Sequence, residues 1–497
     1  MNYLSTRGKI GKDNSVSSMY AIKTGLACDG GLFVPESVPT LTRDDIAKLC
    51  SLDYPHRAAD ILSRYLTDYD YDYLLESAQK SYSEERFPGG AAPITELDET
   101  RNILELWHGP TCAFKDMALQ IMPRLLTGAL KGTGEKRTAF ILVATSGDTG
   151  KAALEGYRDI DGIKITVFYP VEGVSRVQKL QMATQEGSNV NVCAIEGNFD
   201  DAQNGVKKIF SDTDFAEKLD KNGYFLSSAN SINWGRLAPQ IVYYVSAYCD
   251  LVKSGEIKLG DQINVTVPTG NFGNILAAYY ARLMGLPINK LVCASNSNNV
   301  LTDFLESGTY DRNRKFYTTV SPSMDILISS NLERLLYLVC GAEETAGYMK
   351  ELNEKRKYTV SNECFKKIKE AFEGGYCDEE KTAATIKETF ENKEYLIDTH
   401  TAVAVKCAND YIAETGDTRK MIIASTASPY KFAVDVLDSL TGERDADPLK
   451  SLSRLSECTK TQIPAPLSGL DTRAVRFNKT ISKEEMLAEV AGELGIK

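Results

Sequence analysis

The chain has 497 residues, 43% hydrophobic and 25% charged, which suits about three compact units whose cores need no disulfide or metal staple. Its 57 Lys and Arg against 68 Asp and Glu leave a net charge of −11, which disfavours nucleic acid as a partner. Three histidines and eleven cysteines without a C-x-x-C pair argue against a zinc ribbon, any other metal site and a complete disulfide framework, so reduced, buried thiols are expected.

The first fifteen residues hold no apolar targeting core, and no run approaches eighteen apolar residues. A cytoplasmic protein without membrane contact is expected. Residues 1–92 read as an N-terminal domain of short pieces, with a glycine-rich turn at 29–31 and then amphipathic helices. Two prolines and two adjacent glycines over 87–93 make a joint. From 93 to 300, compact apolar runs alternate with helical stretches. Strands are predicted over 139–145, 163–169, 190–195, 262–268 and 290–295, and helices over 117–130, 241–252 and 275–284. Residues 301–396 read as a mainly helical insertion, with charged helices over 362–373 and 379–390. A strand at 421–425 returns the pattern to the core over 397–460, and 461–497 form an acidic helical tail. This alternation predicts an α/β fold of mostly parallel, open sheets flanked by helices.

Ligands of open α/β sheets bind beyond the carboxyl ends of strands, so the strand-to-helix junctions deserve the closest reading. At the first, strand 262–268 runs into Thr269-Gly270-Asn271-Phe272-Gly273-Asn274 and then a helix. Two glycines and a helix N-terminus suit a phosphate cradle, or only a tight turn. Neither a Walker A loop nor G-x-G-x-x-G after a strand is present, which favours a small phosphorylated cofactor over a nucleotide. At the second, Ser146-Gly147-Asp148-Thr149-Gly150 follows strand 139–145 and offers small donors, or a plain helix cap. The third is Lys115, among apolar and small residues just before a helix. Such a setting favours the neutral, nucleophilic amine that Schiff-base chemistry needs, although a solvated surface lysine at a helix start is the commoner case. His108 and Cys112 nearby have no carboxylate or base pattern beside them and read as packing groups.

With these junctions in place, the chain resembles the threonine synthase family of pyridoxal-phosphate (PLP) enzymes over nearly its full length. YLSTRG, HGPTCAFKD, ATSGDTGKAA, GVSRVQKLQM, GNFDDAQ, SINWGRLAPQ, VPTGNFGN, DTHTAVA and STASPYKF occur in family order. The resemblance implies the tryptophan-synthase-β-like fold, called fold type II, in the longer microbial and fungal subgroup. It implies that Lys115 carries PLP and moves protons, that Gly270, Asn271, Phe272, Gly273 and Asn274 hold the cofactor phosphate, and that Thr426 faces the pyridine nitrogen. Ser146, Asp148 and Thr149 would lie at the amino-acid end of the substrate, Asp148 without a definite role. Arg176, Lys179 and Arg236 are the candidates for the substrate phosphate, with Asn233 and His400 as further contacts. The implied reaction converts O-phospho-L-homoserine and water to L-threonine and phosphate, by γ-elimination and β-addition of water, in a monomer or homodimer. Two alternatives stand beside it: a phospholyase that releases 2-oxobutyrate, and a non-catalytic PLP-fold binding protein.

Overall fold

Runs of Val, Ile, Leu and Ala that are apolar on both faces must sit inside sheets covered by helices. The structure, a computed structural model, describes residues 1–8, 14–445 and 447–496. Its larger sheet has six strands in the order Phe372–Tyr376, Ile288–Ser295, Ile263–Pro268, Met421–Ser425, Arg101–Glu105 and Ile94–Glu96. All neighbours are parallel except the last pair. The smaller sheet is parallel throughout, in the order Thr480–Ile481, Val190–Ile195, Ile163–Pro170, Thr138–Ala144 and Tyr224–Ser227.

All six predicted strands are present, and the differences lie elsewhere. Arg101–Glu105 escapes the sequence reading because Arg101, Asn102 and Glu105 interrupt its apolar run. Asn102 is nonetheless buried, and donates to Glu256 Oε2 at 2.8 Å. The helix expected over 117–130 is two helices, Asp116–Leu119 and Met122–Gly132. Pro123 has no N–H to give a preceding turn and therefore starts a new helix. Between 301 and 396 helices dominate, but Phe372–Tyr376 adds an edge strand and Thr309–Asp311 pairs with Lys357–Thr359. One cysteine expectation is corrected. Cys340 and Cys364, carried on the helices Leu332–Cys340 and Asn362–Ala371, form a disulfide.

The helix Trp234–Ser254 is buried along most of its length and joins the N-terminal pieces to the larger sheet. Trp234 lies edge-on to Tyr3, Tyr65 and Tyr280, with centroids 5.3–5.5 Å away. Buried Arg57 ties the same helix to the N-terminal segment through Asp250 at 2.7 Å. No helix among the described residues is long and apolar enough to cross a membrane.

Register sets the geometry of the site. Ser425 lies opposite Glu105 and Ile423 opposite Thr266, so the carboxyl ends of three adjacent strands open side by side. The chain leaving Glu105 then crosses to the smaller sheet and carries Lys115 between the two.

Candidate active site

Lys115 is held by its own backbone neighbours. Phe114 N–H donates to the Thr426 carbonyl at 2.8 Å, and Ala113 bridges Ala427, which fastens the lysine segment to the end of the strand Met421–Ser425. The side chain is 13% exposed. Its Nζ lies 3.4 Å from Ser323 Oγ, 3.7 Å from Asp148 Oδ2 and 5.0 Å from the Phe114 ring centroid. Burial lowers the amine below the ordinary lysine value. Asp148 opposes that shift, while Lys431 and Arg236 reinforce it.

Asp148 opens the helix Asp148–Tyr157 and is almost wholly buried. Lys431 Nζ stands 2.9 Å from its Oδ1, Gln178 Nε2 donates to the same oxygen at 2.8 Å, and Ser323 Oγ donates to Oδ2 at 3.2 Å. Burial pushes this carboxyl up, but the Lys431 and Lys115 ammonium groups more than reverse it. The group lies well below the usual carboxylate range. Ser146 is exposed and Thr149 half-buried. Gly147 and Gly150 both donate to Thr145 Oγ1, so this junction also caps its own turn.

Ser323 reaches Lys115 from a strap over 319–325. Asp325 anchors the strap by accepting from Thr319 Oγ1, Asn296 Nδ2 and Asn298 Nδ2 at 2.7–2.9 Å. The Ser323 amide donates to His400 Nε2 at 3.1 Å, and His400 Nδ1 faces Asp398 Oδ2 at 2.7 Å. Nε2 is therefore the acceptor and Nδ1 carries the proton, a tautomer fixed from both sides. His108 does have a carboxylate partner, contrary to the sequence reading: Glu105 Oε2 is 2.6 Å from its Nε2.

The glycine loop completes the site. Phe272 adopts a left-handed conformation (φ +62°) as N-cap of the helix Gly273–Met284 and gives it no side-chain cap. The first-turn amides therefore open towards the loop. A Cβ on Gly270 would fall 2.7 Å from the Ser323 carbonyl oxygen, so glycine alone lets the strap come this close. The Asn271 carbonyl accepts from the Asn331 amide and side chain, both at 3.0 Å. Asn274 Oδ1 accepts from Tyr243 at 2.6 Å, while Asn274 Nδ2 is buried without a partner.

The three candidate cations part company. Arg236 is 3% exposed, donates to the Ala229 carbonyl at 2.6 Å, leaves Nε without a partner and has no carboxylate beside it among the described residues. Burial lowers its guanidinium to about 10. Arg176 lies at the surface, 2.9 Å from Asp447. Lys179 is half-buried and donates to the Val171 carbonyl. Asn233 is engaged in structure, donating to the Ile22 carbonyl and accepting from Gly235. Thr426 is buried at the strand end, next to Ser425, whose hydroxyl accepts from Trp107 and Thr401.

The description threonine synthase N terminus matches residues 2–82, pyridoxal-phosphate dependent enzyme matches 103–425, and threonine synthase, C-terminal matches 401–490. A threonine synthase of Pseudomonas aeruginosa is 37% identical over 90% of this chain and 92% of its own. The chain belongs to the threonine synthase family. A human protein called threonine synthase-like 1 is 42% identical over 84% of this chain, which spans 57% of that relative's length. The PLP-bound threonine synthase structure from Brucella melitensis superposes with a TM-score of 0.87 at 36% identity, covering 99% of this chain and 98% of that one. Fold type II, expected from the motifs, is thus the fold of this family member.

The residues present fit PLP. A buried lysine with a lowered amine lies 3.4 Å from Ser323 Oγ, and the Ser323 carbonyl closes on Gly270 in the glycine loop, whose helix carries the orphaned Asn274 amide. The buried Arg236 guanidinium stands on the neighbouring helix Trp234–Ser254. Sequence reasoning missed Lys431 and Ser323. Lys431 stood in STASPYKF, but Ser323 lies in a loop with no local signal.

Proposed function

We infer that this chain converts O-phospho-L-homoserine and water to L-threonine and phosphate. The observation that carries the reading is the largely buried Lys115 with its lowered amine, 3.4 Å from Ser323 Oγ in the strap that closes on Gly270. PLP, when bound, supplies an electron sink for negative charge on the substrate carbons. Lys115 would hold it, with the Gly270, Asn271, Phe272, Gly273 and Asn274 segment on its phosphate and Thr426 at its ring nitrogen. The neutral Lys115 amine takes the proton from Cα and returns it. A second proton leaves Cβ as phosphate departs from Cγ with the carbon–oxygen bond electrons; Cγ then takes up a proton, water adds its hydroxyl at Cβ, and the remaining proton leaves with phosphate.

Arg236 is the favoured partner of the substrate phosphate. It is a buried cation with an unpartnered Nε and no carboxylate beside it among the described residues, whereas Arg176 is already paired with Asp447. Asp148 stands 3.7 Å from Lys115, and with Ser146 and Thr149 of the same junction it suits the amino-acid end. His400 acts through Ser323 by fixing the strap. Asn233 sets the start of the Arg236 helix. We place the protein in the cytoplasm as a monomer or homodimer.

A second reading on the same site is elimination to 2-oxobutyrate, ammonia and phosphate without water addition at Cβ, and the 42% identity to a human protein called threonine synthase-like 1, not named a threonine synthase, is the reason to test it. Product analysis from O-phosphohomoserine separates the two. Threonine as the main product supports the first, and 2-oxobutyrate alone overturns it.

A further inference from the structure

Two lysines compete for one buried carboxylate. Lys431 Nζ stands 2.9 Å from Asp148 Oδ1 and donates to the Thr111 carbonyl at 2.7 Å, with its side chain fully buried. Lys115 Nζ stands 3.7 Å from Oδ2, and Ser323 Oγ lies within 3.4 Å of both. A carboxylate this deep needs a cation, because an unpaired buried charge is costly. Lys431 supplies it at the shorter distance. The groups facing Lys115 are then Asp148, Lys431, Arg236, the Ser323 hydroxyl and the Phe114 ring. Those around Lys431 are Asp148, Asp116 and Lys151, the last paired with Glu155.

We propose that Lys431 is a positioning residue that occupies the Asp148 carboxylate and so keeps it from binding Lys115 as an ammonium. Without Lys431, Lys115 becomes the nearest cation to Asp148. Its protonated form is stabilised, and the amine is lost as nucleophile and base near neutral pH. The placement of Lys431 fits this role: it lies in the turn Pro429–Phe432, a few residues after the strand that ends at Ser425, and its ammonium reaches the Thr111 carbonyl in the Lys115 segment. The proposal rests on the reading of Lys115 as the reactive amine.

The test is the pH dependence of Lys115 acetylation by acetic anhydride in the cofactor-free full-length chain, read by peptide mass spectrometry. Lys431→Met is expected to raise the midpoint by about one pH unit, which is about a tenfold slower reaction at fixed lower pH. Lys431→Arg keeps the charge and stays within a few tenths of wild type. Asp148→Asn leaves two facing cations, so its midpoint falls below wild type. An unchanged or lowered midpoint in Lys431→Met overturns the proposal. Should that variant not fold, an unchanged or raised midpoint in Asp148→Asn overturns it equally. Loss of the visible cofactor band in Lys115→Ala tests the Lys115 reading separately, so failure of one is not failure of the other.

Discussion

Replacing Arg236 with Met separates the cost of burying a guanidinium from the use made of it. Burial lowers this group from its ordinary value to about 10. At about 1.4 kcal/mol per pH unit, the charged form is disfavoured in the fold by roughly 3 kcal/mol. The folded value lies below the unfolded one, so the penalty is fully present at pH 7 and fades only as pH rises past both. Arg236→Met relieves it and gives up the donation to Ala229, worth about 1.5–3 kcal/mol for a charged donor. The ligand-free variant should therefore melt close to wild type, with a net change within about 2 kcal/mol. Phosphate recognition should suffer instead. Losing one charge-assisted contact of about 1.5–3 kcal/mol weakens inorganic phosphate binding and raises KM for O-phosphohomoserine by about ten- to a hundredfold. Thermal melts of the ligand-free protein and phosphate titration by calorimetry read the two effects. A large loss of stability with unchanged phosphate affinity would refute the reasoning and make Arg236 a structural residue.

Gly270→Ala places a Cβ 2.7 Å from the Ser323 carbonyl and must push the strap away, at about 1–3 kcal/mol. Weaker PLP retention on dialysis should accompany the lower denaturation midpoint, and wild-type behaviour in both would contradict the packing described. Trp234→Ala removes the ring at the centre of three tyrosines and should cost about 3–5 kcal/mol, read in denaturant. Arg176→Ala breaks only an exposed pair with Asp447, so stability should change by less than about 1 kcal/mol and KM by less than about twofold. A tenfold rise in KM would return Arg176 to the phosphate site.

The parts of the fold legible in sequence are those whose cause is local. The strand Ile263–Pro268 is buried at every position, and the loop after it carries its glycines within a few residues. Lys115 was visible because its apolar neighbours flank it in the chain. The strand Arg101–Glu105 was hidden because its polar residues find partners far away in the chain, the Asn102 amide nitrogen at Glu256 and the Glu105 carboxylate at Tyr395. Ser323 was hidden for the same reason, since Asp148 and His400 reach it only through the fold. Asp148 shows the limit most plainly: its residue type was readable, but its charge state is set by Lys431 from the far end of the core. Arg176 and Arg236 looked alike in their segments, and only burial tells them apart.

The central claim is that carbon–oxygen cleavage at Cγ is followed by water addition at Cβ. Turnover of O-phosphohomoserine by the PLP-loaded enzyme in oxygen-18 water, with mass spectrometry of both products, tests it most directly. The account predicts one heavy oxygen on the threonine hydroxyl and none in the released phosphate. Heavy oxygen in the phosphate, with homoserine as the other product, would mean phosphorus–oxygen hydrolysis and would contradict it.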